Sequence, residues 1–239
     1  MAEPPHGSVL YKVITGSHAY GMAHAGSDVD RHGIYAYPSV ELWDLYPPNQ
    51  DLLTYKTAPP DLTVHEIGKF LRHALASNPT VNEMLWIDRK FLEKCNGFGN
   101  ELRDIRSTFL SAQPVRDAFH GYARSQFYRL QRSGRFGNVP IGREEKNARH
   151  LLRLLIQGYR LYSTGHLEVT VENSDYLFEM GRRIVADPSI GARLVAEYAD
   201  RFEATTSALP AQPDTGPARD LLTRIRAHYY HHHQEHQTA

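Results

Sequence analysis

The residues best equipped for chemistry lie between Gly16 and Gly33, in the stretch GSHAYGMAHAGSDVDRHG. It combines a Gly-Ser pair with an Asp-x-Asp pair. Along a strand, residues i and i+2 share a face, so Asp28 and Asp30 are expected to project side by side while Val29 turns into the core. Two adjacent carboxylates repel unless a cation sits between them. Hard oxygen donors suit Mg²⁺, which binds one or two carboxylates together with waters and phosphate oxygens. Gly16 and Ser17, read as ending the preceding strand, would let backbone amides and a hydroxyl approach a phosphate closely. Either pair alone is a common turn feature, and the specificity comes from their combination in one short unit.

The ordered set Gly16-Ser17-His18-Ala19-Tyr20-Gly21, Ser27-Asp28-Val29-Asp30 and Gly33-Ile34 resembles the signature of the DNA polymerase β nucleotidyltransferase superfamily, and within it the subfamily linked to RNA repair. Ser77-Asn78-Pro79, Glu83-Met84-Leu85, the trio Lys146, His150 and Arg153, and Thr164-Gly165 extend the resemblance over most of residues 10–169. It implies an enzyme that moves a nucleoside monophosphate from an NTP, ATP foremost, to an acceptor hydroxyl and releases pyrophosphate. It also implies Asp28 and Asp30 as ligands of Mg²⁺ or Mn²⁺, with Gly16, Ser17, His18 and Ser27 beside the nucleotide. The implied acceptor is an RNA end, with a protein hydroxyl or a small molecule as alternatives. The rival reading is an RNA-binding module that keeps the fold without turnover.

The superfamily uses a third carboxylate on a following strand, and Asp61 and Glu66 are the candidates here. In Asp61-Leu62-Thr63-Val64-His65-Glu66, alternation buries Leu62 and Val64 and leaves Asp61, Thr63 and His65 on the other side. Asp61 is therefore preferred as metal ligand and base. Glu66 either falls in register with the apolar residues or opens the next helix, where the macrodipole favours an acidic residue.

A second cationic feature is helical. At about 100° per residue, Lys146, His150, Arg153 and Gln157 form one stripe, while Leu151, Leu155 and Gly158 face the opposite way. The resemblance favours this stripe as a holder of triphosphate charge, with Arg153 able to make bidentate contacts. The bland alternative is a solvated face with Glu145 and Arg149 paired locally.

The elements that must position these residues follow from periodicity. SVLYKVITG (8–16) and RHGIYAY (31–37) read as strands, Pro47–Pro60 as a loop and Asp61–His65 as a third strand. Ile67, Phe70, Leu71, Ala74 and Leu75 share a helical face that ends at Asn78-Pro79. Thr80 with Glu83 reads as a capping box for the next helix. Helical spacing recurs in 116–131, 144–164 and 190–208, with a loop at Gly134–Gly142. Tyr20 and Tyr35 read as packing residues with one polar end. The expected fold is α+β: a small mixed-sheet nucleotidyltransferase domain at 1–112 and an α-helical domain at 113–239. The histidine-rich end, His228 and His231–His233, reads as a frayed tail.

Composition sets the outer bounds. Hydrophobic residues are 41% and charged residues 23%, ordinary values for a globular chain, and no apolar run reaches the ~18 residues of a membrane span. One cysteine, Cys95, rules out an internal disulfide. The start, MAEPPHG, has no basic-then-apolar leader, so a cytoplasmic location is expected. Net charge is zero, yet residues 103–160 hold 12 Lys or Arg against 4 Asp or Glu, a net of +8 that suits a polyanionic partner.

Overall fold

The computed structural model describes residues 4, 7–49, 53–58, 61–136 and 141–237; the side chains of 131–136, 141 and 231–237 lie outside that description. Five strands form one mixed sheet. They are β1 (Ser8–Ile14), β2 (Arg31–Ala36), β3 (Thr54–Thr57), β4 (Leu62–Glu66) and β5 (Leu92–Cys95), in the order β3-β4-β2-β1-β5. Only β2 and β4 run parallel. The expected loop at Pro47–Pro60 is thus interrupted by β3, whose Thr54, Tyr55 and Thr57 are β-formers that pair with β4 once that strand is in place. β5, in polar LEKC, lacks an apolar alternation to announce it.

The central strand β1 is apolar on both faces, with Val9, Leu10, Tyr11 and Val13 all buried. Tyr11 carries its hydroxyl into the core and donates to the Met84 carbonyl at 2.6 Å. Arg103, 7% exposed, donates to that hydroxyl at 3.0 Å and to the Ile87 carbonyl at 2.9 Å. Burial pushes the Tyr11 phenol up to about 12, so it stays a neutral donor. This network ties β1 to α4 (Pro79–Trp86) and α5 (Gly97–Asp104) with its buried polar atoms bonded. The expected capping box is absent: α4 begins at Pro79, which suits a first helical turn, so Thr80 is already inside the helix.

Two short helices, α1 (Gly16–Ala19) and α2 (Ser39–Leu42), precede α3 (Ile67–Leu75), which Glu66 caps at the end of β4. Its Oε2 accepts from the Gly68 and Lys69 amides at 2.7 and 3.3 Å. Its Oε1 lies 2.6 Å from Nη2 of Arg226, and the Glu66 side chain is fully buried. Arg226 belongs to α10 (Gly216–Gln237), which buries Ala218, Leu221 and Ile225. The chain end that reads as a frayed tail is therefore helical through Gln237; the side chains of His231–His233 lie outside the described residues.

Two compact units result. One comprises Met1–Ala76, Thr80–Phe109 and Pro213–Ala239, the other Ser77–Pro79 and Leu110–Gln212. A single division after residue 112 does not describe them, because α10 returns to the sheet-bearing unit. The second unit is helical: α6 (Ala112–Phe136), α7 (Ile141–Thr164), α8 (Ser174–Ala186) and α9 (Pro188–Ala204). Gly134 lies in α6 and Gly142 in α7, so both ends of the expected loop are helical; residues 137–140 lie outside the described residues. As the helical spacing predicts, Leu151 and Leu155 of α7 are fully buried, and a Cβ on Gly158 would stand 2.4 Å from that of Phe119 in α6. Among the described residues no helix is long and apolar enough to cross a membrane.

Removing Glu66 strands a mostly buried guanidinium and a helix start together. Glu66→Ala is expected to lose about 3–5 kcal/mol of unfolding free energy in denaturant titration. Adding Arg226→Met should recover a substantial part of that loss, and a single variant as stable as wild type contradicts this role.

Candidate functional site

Thr15, 3% exposed, connects β1 to the short helix α1 (Gly16–Ala19). Its amide donates to the Asp30 carbonyl at 2.9 Å, and its hydroxyl lies 3.3 Å from the same oxygen and 2.7 Å from Nδ1 of His32. Gly16 follows in the left-handed region, with φ +66°. A Cβ there would fall 2.3 Å from Oδ2 of Asp30. The Gly-Ser pair thus opens a helix rather than ending a strand, and it sits directly beneath an Asp30 carboxylate oxygen.

The segment between α1 and β2 is a folded loop. The His24 amide donates to Ser27 Oγ and the Ser27 amide to the His24 carbonyl, both at 2.9 Å, while His18 Nε2 lies 3.4 Å from the Ser27 carbonyl. His18 and Ser27, expected beside a nucleotide, are thereby occupied in shaping this loop. Tyr20 donates to Glu83 Oε1 at 2.5 Å and Tyr35 is buried in the core, as expected of packing residues. Glu83, 2% exposed, has its carboxylate on Tyr20 instead of closing a capping box.

Asp28 and Asp30 precede β2, which starts at Arg31, so they occupy the extended lead-in instead of the strand. Asp28 is exposed, and both Val29 and Asp30 are half-buried, so Val29 does not enter the core as expected. The parallel register pairs Arg31 with Leu62 and His32 with Thr63, and the Arg31 amide donates to the Asp61 carbonyl at 2.9 Å. Asp30 and Asp61 consequently flank the same end of the β2–β4 pair. Both line one cleft of about 460 Å³, along with His32, Lys56 and Thr63.

Leu62 and Val64 are buried and Thr63 and His65 half-buried, the alternation read from the sequence. Asp61 is exposed at the cleft, and Glu66 is spent on the α3 cap and Arg226. Burial lowers the pKa of His32, and burial first, then the charges of His32, Lys69, His73 and Lys56, lowers His65 to about 4. Both imidazoles are neutral near pH 7.

The Asp30 and Asp61 carboxylates on this cleft are the hard oxygen donors Mg²⁺ prefers, and the missing side chain of Gly16 lets the Asp30 carboxylate lie against that turn. Two carboxylates facing one cleft suit an ion whose other ligands are waters and phosphates. Among the described residues no group of three or more His, Cys, Asp or Glu side chains is gathered closely enough to hold an ion by itself.

The stripe on α7 belongs to the second unit. Lys146 is exposed, but Arg153 and Gln157 are 4% and 6% exposed. Arg153 Nη1 donates to Gln157 Oε1 at 3.0 Å, and Nη2 lies 3.3 Å from His150 Nδ1. Burial, reinforced by Arg153, Arg129 and Lys146, pushes His150 down to about 3. His150 is therefore neutral near pH 7, and of the three residues expected as a cationic stripe Lys146 is the one that is both charged and exposed, while the Arg153 guanidinium is buried. The local Glu145–Arg149 pair is present at 3.5 Å.

Sequence reasoning passed over Thr15, His32 and Lys56. The i, i+2 alternation that pairs Asp28 with Asp30 extends one step further to His32, so that residue was within reach. Lys56 was hidden in a segment read as loop.

A family model described as "RlaP: RNA repair pathway DNA polymerase beta family" matches residues 2–181. That span is about three quarters of the chain, and the chain belongs to this family. No curated protein matches it.

The depressed His150 pKa has a thermodynamic consequence. Between about pH 6.5, where an unfolded histidine titrates, and about 3, the unfolded chain binds the extra proton, so stability falls on acidification. Denaturant titrations at pH 7, 6, 5 and 4 should show His150→Gln reducing this fall by up to ~1.4 kcal/mol per pH unit. An unchanged slope contradicts an imidazole held neutral by its surroundings.

Proposed function

We propose that this member of the RNA repair pathway DNA polymerase β family is a metal-dependent nucleotidyltransferase whose reaction takes place in the cleft between Asp30 and Asp61. The observation carrying this reading is the convergence of Asp30, Asp61 and the Gly16 turn at one end of the β2–β4 pair. Asp30 and Asp61, the two carboxylates lining the cleft, would hold Mg²⁺ or Mn²⁺ together with waters and phosphate oxygens, while Asp28 is exposed and lies outside that lining. The bound ion supplies charge neutralisation of the phosphates and a lowered pKa for the acceptor hydroxyl.

The chain's own groups account for the rest. Gly16 lets the Asp30 carboxylate pack against the turn, and Ser17 places a hydroxyl-bearing residue in α1 beside it. Lys56 lends the cleft a cation for the triphosphate. The acceptor oxygen attacks the α-phosphorus as the bond to the β-phosphate oxygen breaks, and pyrophosphate carries away that electron pair. Asp61 takes the acceptor's proton. ATP is the proposed donor and an RNA end the proposed acceptor, in keeping with the family description and the +8 segment at 103–160.

The test is incubation of the protein with α-labelled NTPs and Mg²⁺ or Mn²⁺, with and without RNA. Label incorporated into RNA supports the reading. Label on the protein or on a small molecule redirects the acceptor, and no incorporation under any condition favours a binding module without turnover.

Asp30→Asn and Asp61→Ala are each expected to lower transfer at least about a hundredfold. Because Asp61 is exposed, its removal should leave unfolding free energy within about 0.5 kcal/mol of wild type. An active Asp61→Ala protein removes that carboxylate from the mechanism.

A further inference from the structure

The second unit contains a separate cavity of about 150 Å³, between the C-terminal half of α7, residues 168–173 and the first turn of α8. Ile156, Val169, Val171 and Leu177 make most of its lining apolar. Its size is informative: an apolar cavity of about 150 Å³ accepts one benzene-sized ring, whereas sites for whole ligands begin near 300 Å³. A single planar ring system can be seated in it, with any attached sugar and phosphates lying outside.

The polar groups narrow the chemistry. Tyr176, 44% exposed, lines the cavity and brings an aromatic ring to its rim. Arg153 brings a buried guanidinium whose position is set by Gln157, and Gln157 is itself anchored by donation from Nε2 to the Glu168 carbonyl at 2.9 Å. Arg160, also lining the cavity, lies 2.7 Å from Glu168 and 3.1 Å from Glu172. With Arg153 and Arg160 set against Glu168 and Glu172 the lining carries no net charge, and Arg160 is already engaged by both carboxylates, so nothing there is left to gather the several negative charges of a triphosphate. An aromatic ring, an apolar floor and a fixed polar group together describe the site of a neutral heterocycle.

We propose that this cavity takes a single nucleobase, stacked on Tyr176 with its polar edge toward Arg153. The base comes from an NTP or from an RNA end, and this part of the proposal rests on the nucleotidyltransferase reading. Arg153 thereby acts on a base rather than on the triphosphate.

The experiment is calorimetric titration of the full chain with adenosine, guanosine, cytidine and uridine, and separately with inorganic tripolyphosphate. At least one nucleoside should bind, tripolyphosphate should not displace it, and Tyr176→Ala should weaken it about tenfold, the scale of base–aromatic stacking. Val171→Trp, which fills the cavity, should abolish binding while thermal melting shows an intact fold. The proposal is overturned if no nucleoside binds at millimolar concentration, if tripolyphosphate competes, or if Tyr176→Ala and folded Val171→Trp both bind like wild type.

Steady-state kinetics separates the two sources. A Tyr176→Ala penalty confined to the KM for NTP assigns the cavity to the incoming base, and one confined to the KM for RNA assigns it to the terminal base. Asp30→Asn should keep wild-type nucleoside affinity. Nucleoside binding without any transfer would retain the cavity and remove the transferase reading, whereas transfer without nucleoside binding would do the reverse.

Discussion

The close approach of the Gly16 turn to Asp30 is the constraint on which the candidate site depends. A left-handed residue must lie beneath the carboxylate with no side chain of its own, and only glycine meets both demands without strain. Thr15 holds the two segments together from both its amide and its hydroxyl, with His32 as a further partner. The carboxylate is thereby aimed by backbone bonds on either side of it. Parallel pairing of β2 with β4 then brings Asp61 to the same end of the sheet. The geometry comes from strand register and one turn, without a preassembled ring of ligands.

The remainder of the sheet-bearing unit keeps that register rigid. Tyr11 and Arg103 lock the central strand to two helices through a buried, hydrogen-bonded network. A one-residue slip of β1 would break those bonds and turn its apolar side chains over. At the far end of β4, Glu66 joins the sheet to α3 and α10 through a cap and an ion pair. The two acidic residues flanking β4 thus play opposite parts. Asp61 stays exposed at the cleft, and Glu66 is consumed by the architecture.

Much of this was legible from the residues. The apolar alternation of β1, β2 and β4 and the 3.6-residue spacing of α3, α6, α7 and α9 are local signals, and the structure carries elements at each. The preference for Asp61 over Glu66 at the cleft face came from the same alternation in Leu62 and Val64. What escaped depended on distant partners. β3 and β5 are short strands whose pairing partners define them, and α10 is recruited by Glu66 and the sheet-bearing unit's core, more than a hundred residues away in sequence. The burial of the α7 stripe is not legible in the sequence, because a helical wheel orders residues by angle and carries no information on what packs against each side. His150, Arg153 and Gln157 share an arc with Lys146, but packing buries most of that arc.

Gly16→Ala tests the central claim most directly. The added Cβ meets the Asp30 carboxylate, a side chain that can rotate away, and imposes a left-handed alanine whose strain costs about 1 kcal/mol. The account predicts a folded protein, destabilised by no more than about 2 kcal/mol, whose transfer of label from NTP falls at least about a hundredfold because the carboxylate has left its position. A Gly16→Ala protein that folds and transfers at the wild-type rate would contradict the claim that this approach builds the site.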